Sequence, residues 1–158
     1  MKIKKGRYRI AILFPTAKLT IKIPRIYFKE AFKQRTWKAR AHYLFWGILL
    51  NWWEFVFYLK TRHSFLQPTF LSLFGLLNIQ RYGDKIPQEM WQELFQSLWT
   101  ATKREITQDL HHFGESENFC LDRRRGIIRM LDYGHPTTQA IIQKWGHRLK
   151  KEVTKASP

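Results

Sequence analysis

The chain has 158 residues, enough for one domain or a small domain with an extension, and 44% of them are hydrophobic, enough for a real core. Its formal net charge is +16, and the excess is uneven: residues 1–40 hold 13 Lys/Arg against one acid, Glu30, while residues 41–158 hold 15 against 11. One cysteine, Cys120, excludes an intramolecular disulfide and a cysteine-built metal cluster, and the concentrated charge predicts a surface for a polyanion, nucleic acid first and an anionic membrane second.

Lys2 to Arg9 is a cationic arm that reads either as a solubilising tail or as a phosphate clamp. Behind it, the apolar run Ile10–Phe14 is broken by Pro15 and is too short for a signal peptide, so a cytoplasmic protein is expected. Tyr8–Phe14 reads as a strand and Pro15-Thr16-Ala17 as a turn, permitting a hairpin with Lys18–Ile23. In that second strand Leu19, Ile21 and Ile23 alternate with Lys18, Thr20 and Lys22. The alternation predicts the aliphatic residues inward and the polar ones outward. Pro24 suits the first turn of a helix over Arg25–Lys33, with Phe28 and Phe32 one turn apart, and Thr36 is a candidate N-cap for a second helix from Trp37.

This strand, proline and pair of helices resemble the ribbon-helix-helix family, the MetJ and Arc type of bacterial regulator, over roughly Lys18 to Trp53. The resemblance implies that two chains pair their strands into a ribbon that enters the major groove of double-stranded DNA. Lys18, Thr20 and Lys22 would then face bases, and Thr36 and Trp37 would sit against a phosphate. The cations Lys2, Lys4, Lys5, Arg7, Arg9, Arg25, Arg35 and Lys38 supply further candidate phosphate contacts. The implied function is a sequence-specific transcriptional regulator acting as a homodimer, with higher order on DNA. A plasmid or other mobile-element origin rests on family-level analogy alone.

Ala41–Leu59 is the most apolar stretch and is long enough to span a bilayer, but it contains His42, Asn51 and Glu54. Gly47, Asn51 and Glu54 share one helical face, while Ala41, Leu44, Phe45, Ile48, Trp52, Phe55 and Leu59 make an apolar stripe on another. A buried core helix is therefore expected, and a membrane anchor is the alternative. Further on, Thr69–Leu77 reads as a helix, Ile79–Asp84 as a short strand with a turn, and Pro87 to about His112 as one amphipathic helix. Leu121–Leu131 reads as a helix whose basic run, Asp122–Arg125, is a solvated face in preference to a phosphate contact, and Thr137 or Thr138 is the expected cap of a last helix that ends near Lys155.

No phosphate loop, dinucleotide fingerprint or nucleophile elbow is present, so neither an enzyme nor a cofactor is expected. His111, His112, His135 and His147 lack the i, i+4 chelating pattern and read as surface histidines, so no metal is expected. The expected fold is mainly α with a small N-terminal β element. A ribbon-helix-helix-like DNA-binding and dimerisation module would occupy 1–60, and a helical C-terminal extension 61–158. The functional alternatives are a membrane-associated protein anchored by 41–59 and an RNA-binding protein.

Overall fold

The computed structural model of the chain describes residues 1–122 and 125–156; Arg123 and Arg124 of the basic run, with Ser157 and Pro158, lie outside the described residues. The elements in order are β1 Lys2–Lys5, β2 Arg9–Phe14, β3 Leu19–Pro24, α1 Phe28–Lys33, α2 Trp37–Thr61, β4 Thr69–Ser72 and β5 Asn78–Arg81. There follow α3 Gln88–Ala101, a 3-10 turn Glu105–Asp109, α4 Leu110–Phe113, β6 Phe119–Asp122, β7 Ile127–Met130 and α5 Pro136–Lys155. The chain divides into two units, Met1–Val56 with Thr69–Tyr82, and Phe57–Pro68 with Gly83–Pro158. The boundary expected at residue 60 falls within the last turn of α2, and Thr69–Tyr82 belongs to the first unit.

The expected mainly α fold is overturned. About 50% of the chain is helical and 22% is strand, in a five-stranded antiparallel sheet and a separate two-stranded one. In the first unit the strand order is β1-β2-β3-β5-β4, so β3 is flanked on one edge by β2 and on the other by β5. Both of its hydrogen-bonding edges are used within the chain. A ribbon-helix-helix module needs that strand to pair across two chains, so this part of the expectation falls with the fold class.

The faces of the sheet are also the reverse of what alternation predicted. Thr20 and Lys22 are buried, at 4% and 6% exposure, whereas Ile23 is 36% exposed. Residues opposite one another on neighbouring strands share a face. Lys22 therefore lies in a row with Ala11 and Asn78, and Thr20 in a row with Leu13, Gln80 and, on β4, Thr69. Ile3, Ile12, Ile21, Ile79 and Leu71 form the corresponding row on the other face.

What draws the polar row inward is Glu54 of α2, which is fully buried. Lys22 Nζ donates to both of its carboxylate oxygens, at 2.8 and 2.9 Å, and Arg9 Nη1 donates to Oε2 at 2.8 Å. An isolated buried charge is very costly, but one that is paired and hydrogen-bonded is tolerated. Asn51, one turn earlier, donates from Nδ2 to Gly75 O at 3.0 Å, and its own carbonyl accepts from Asn78 Nδ2 at 2.7 Å. The predicted face of Gly47, Asn51 and Glu54 is thus the one that packs inward. A Cβ on Gly47 would lie 2.4 Å from Tyr8 O and 3.0 Å from Pro24 Cβ, so the glycine allows α2 its close approach to the ends of β2 and β3. The stripe expected inward is partly exposed instead, with Phe45 at 47%, Trp52 at 37% and Leu59 at 41%.

In the second unit α3 and α5 bury the stripes their periodicity predicts: Trp91, Leu94 and Leu98 on one, Ile141, Ile142, Trp145 and Leu149 on the other. His135 rather than a threonine occupies the N-cap of α5, its side chain accepting from Thr137 N. Three expected helices are corrected. The helix over Pro87–His112 ends at Ala101, because Lys103 and Arg104 take left-handed backbone (φ 52° and 71°) before the 3-10 turn. Thr69–Leu77 is β4 and a turn through Gly75 (φ +78°). Leu121–Leu131 is a hairpin of β6 and β7 that turns through Gly126 (φ 63°). Arg129, within the segment expected to be helical, is 2% exposed and donates from Nη1 to Ser64 O and Leu66 O, both at 2.8 Å. Its Nε also lies 3.1 Å from Asp122 Oδ2.

The membrane anchor expected as the alternative finds no support in α2: among the described residues, no helix is long and apolar enough to cross a membrane.

Candidate nucleic-acid interface

The sequence-predicted contact residues separate into an inner and an outer set. Arg9, Thr20 and Lys22 are inner, held against Glu54 and its surroundings, where no groove or phosphate reaches them. Lys18 is exposed at the turn before β3, in left-handed backbone (φ 53°). Lys2, Lys4 and Lys5 are exposed on β1, which is an ordered strand paired with β2 rather than a loose arm. Arg7 is exposed and places its guanidinium 5.1 Å from the Tyr8 ring centroid.

Of the remaining residues, Arg25 precedes α1, Arg35 and Thr36 connect α1 to α2, and Trp37 and Lys38 open α2. Tyr27 fixes the start of α1: its N–H donates to Tyr43 O at 3.2 Å and its hydroxyl donates to Arg7 O. Arg25 stacks 4.9 Å from the Tyr27 ring and donates to Gly6 O at 2.8 Å. Ala31, 2% exposed, is the only residue of α1 that is buried. The connection to α2 is held by Arg40 Nε, which donates to Gln34 O at 2.8 Å, and by the predicted N-cap Thr36, whose Oγ1 accepts from Ala39 N at 3.3 Å.

With Ala31 inward, helical geometry turns two stripes outward. Phe28 and Phe32 stand at i and i+4, and Lys29 and Lys33 at i and i+4 on the adjoining strip. Phe28 is 59% exposed, Phe32 75% and, a few residues on, Trp37 71%. Arg35 and Lys38 are exposed on either side of that tryptophan. Nothing in the internal packing of the first unit requires this arrangement. Like charges at i, i+4 cost a helix about 0.2–0.5 kcal/mol, and exposed rings forgo burial worth about 1.5–3 kcal/mol each. Chemically, the surface offers flat π faces between cations, a combination suited to a ligand with both aromatic rings and negative charge.

Arg35, Thr36, Trp37 and Lys38 are among the contacts expected from the sequence; Phe28 and Phe32 are expected only as a helical pair, and Lys29 and Lys33 have no expected role. The signal was present in the phase of the two pairs: aromatic and lysine stripes one residue apart leave little of so short a helix to bury. In comparison with known proteins, the chain matches no family model, no curated protein and no solved structure.

Proposed function

We propose that the chain binds nucleic acid through the exposed aromatic and cationic surface of α1 and the first turn of α2, flanked by the lysines of β1. The observation that carries this reading is the exposure of Phe28, Phe32 and Trp37 among Lys29, Lys33, Arg35 and Lys38. Unpaired bases present the π faces that such rings stack upon, and the phosphates between them meet the cations. Bases within a duplex are already stacked, so single-stranded DNA or RNA is the favoured ligand. Sequence-specific reading by β3 forms no part of the proposal, because Thr20 and Lys22 are committed to the interior. Self-association is part of it: Phe45, Leu49 and Trp52 lie along one exposed side of α2, and Phe74 stacks on Trp52 with ring centroids 6.3 Å apart. The single cysteine and this class of ligand fit a cytoplasmic setting.

The test is a titration of the full chain against a labelled single strand and the matching duplex at several salt concentrations. Affinity for the single strand should fall steeply with salt as counterions are released. Trp37→Ala and Phe32→Ala should each cost about 1–3 kcal/mol on the single strand and much less on the duplex. An affinity indifferent to salt would remove this surface from nucleic-acid binding. A preference for duplex unaffected by Trp37→Ala would replace stacking with simple phosphate contact. Binding to phosphatidylserine vesicles in place of either nucleic acid would return the basic surface to a membrane partner.

A further inference from the structure

The second unit holds a cluster that sequence spacing did not announce. Asp109 ends the 3-10 turn, His112 lies one turn later in α4, and His135 caps α5. One potential ligand atom from each falls within 4.8 Å of the others. Asp109 Oδ1 and His112 Nδ1 are 2.6 Å apart, and the His112 and His135 rings stack at 5.3 Å between centroids, tilted by 22°. Asp109 is 7% exposed and the His112 side chain 12%, so the group is sheltered without being sealed.

We propose that Asp109, His112 and His135 bind a divalent transition cation of the zinc class. Two imidazoles and one carboxylate are the borderline nitrogen and oxygen donors that such ions select over calcium or magnesium. The short contact between Asp109 and His112 holds a shared proton where the cation would sit, so binding exchanges one for the other. With metal–ligand bonds of about 2.0–2.2 Å, tetrahedral donors lie roughly 3.3 Å apart. The Asp109–His112 contact therefore opens by a fraction of an ångström while His135 closes in, movements within reach of side-chain rotation.

The surroundings supply the outer hydrogen bonds that orient metal ligands. Thr138 Oγ1, fully buried, donates to Asp109 Oδ2 and leaves Oδ1 directed at His112. On the far side of His112, Nε2 lies 4.0 Å from Asp132 Oδ1, so Asp132 can accept its ring proton once Nδ1 is ligated.

The competing account treats the group as purely structural, an Asp–His pair beside a histidine N-cap. That cap is long, with Thr137 N donating to His135 Nδ1 at 3.4 Å. A cation on either nitrogen of His135 gives it up, because Nδ1 would lose its lone pair to the metal, or would carry the ring proton if Nε2 ligated. The two accounts therefore differ in what a metal does.

The experiment uses the full chain stripped by chelator and then dialysed against Zn2+ alone, with Co2+ absorption as a second readout. One equivalent of Zn2+ should bind at micromolar concentration or below, Co2+ should show tetrahedral or five-coordinate bands, and zinc should raise the unfolding midpoint. Asp109→Asn and His135→Gln should each weaken binding at least about tenfold, while His111→Gln and His147→Gln should leave it unchanged. Less than a tenth of an equivalent bound, or binding lost with His111 or His147 instead, overturns the proposal. If a variant fails to fold, nuclear magnetic resonance of the wild-type imidazoles decides. Shifts of His112 and His135 on adding Zn2+ support the site; shifts only at other histidines refute it.

Discussion

At the scale of single residues, Glu54 is where the polarity of the first unit is set. Its carboxylate pairs with Lys22 and Arg9 together, at 2.8 Å from each, in an interior where all three are nearly inaccessible. Removing one partner of a buried ion pair costs far more than the pair contributes net, because the charge left behind has no counter-ion. Glu54→Ala strands two cations and should lower stability by about 3–5 kcal/mol. Urea unfolding followed by circular dichroism measures this directly. A loss under about 1 kcal/mol would mean that water reaches Lys22 and Arg9 and that the interior is not dry.

At the scale of elements, the same sequence periods held in some places and misled in others. The 3.6-residue stripes of α3 and α5 packed inward as expected, because in both helices the apolar stripe is also the buried one. In β3 and α2 the period was right and the face was wrong. Alternation shows that Lys22 and Thr20 share a side, but which side is buried depends on a carboxylate thirty-two residues away. The close contact at Gly47 follows from the same docking of helix on sheet. Gly47→Ala places a methyl against Tyr8 O and Pro24, so the helix must lift, and overpacking of this kind costs about 1–3 kcal/mol. Differential scanning calorimetry should show the lower midpoint. An unchanged or raised midpoint, as helix propensity alone would give, would show that α2 does not lie this close to β2.

Across the whole molecule, the charge asymmetry that composition displays becomes an exposed basic segment and a buried, ion-paired one. Of the thirteen cations before residue 41, Arg9 and Lys22 serve the interior and the outer ones carry the proposed ligand contacts. The exposed side of α2 makes a separate prediction. Phe45, Leu49 and Trp52 leave apolar area that a second copy of the chain would cover, since contiguous exposed patches mark association surfaces. Sedimentation should give a dimer at micromolar concentration that Leu49→Glu converts to monomer. A wild-type chain that stays monomeric throughout that range would leave the patch without this role.

By itself, the sequence determined the terms set by neighbours along the chain. These are the β2–β3 hairpin around Pro15, the Thr36 cap, the amphipathic helices α3 and α5, the concentration of charge, and the exposed Arg35-Thr36-Trp37-Lys38 turn. Tertiary structure decided whatever depends on partners remote in sequence. The pairing of β3 with β5 removed the edge that a two-chain ribbon would need. Burial of Phe119, Ile128 and Met130 and a left-handed turn at Gly126 made a hairpin of a segment with helical spacing. The meeting of Asp109, His112 and His135 required the start of α5 to converge on the 3-10 turn and α4. The physical reason is common to all three. Periodicity reports only which side chains share a face; the free energy of burying that face is set by what lies opposite, and a lysine is outside until a glutamate waits inside.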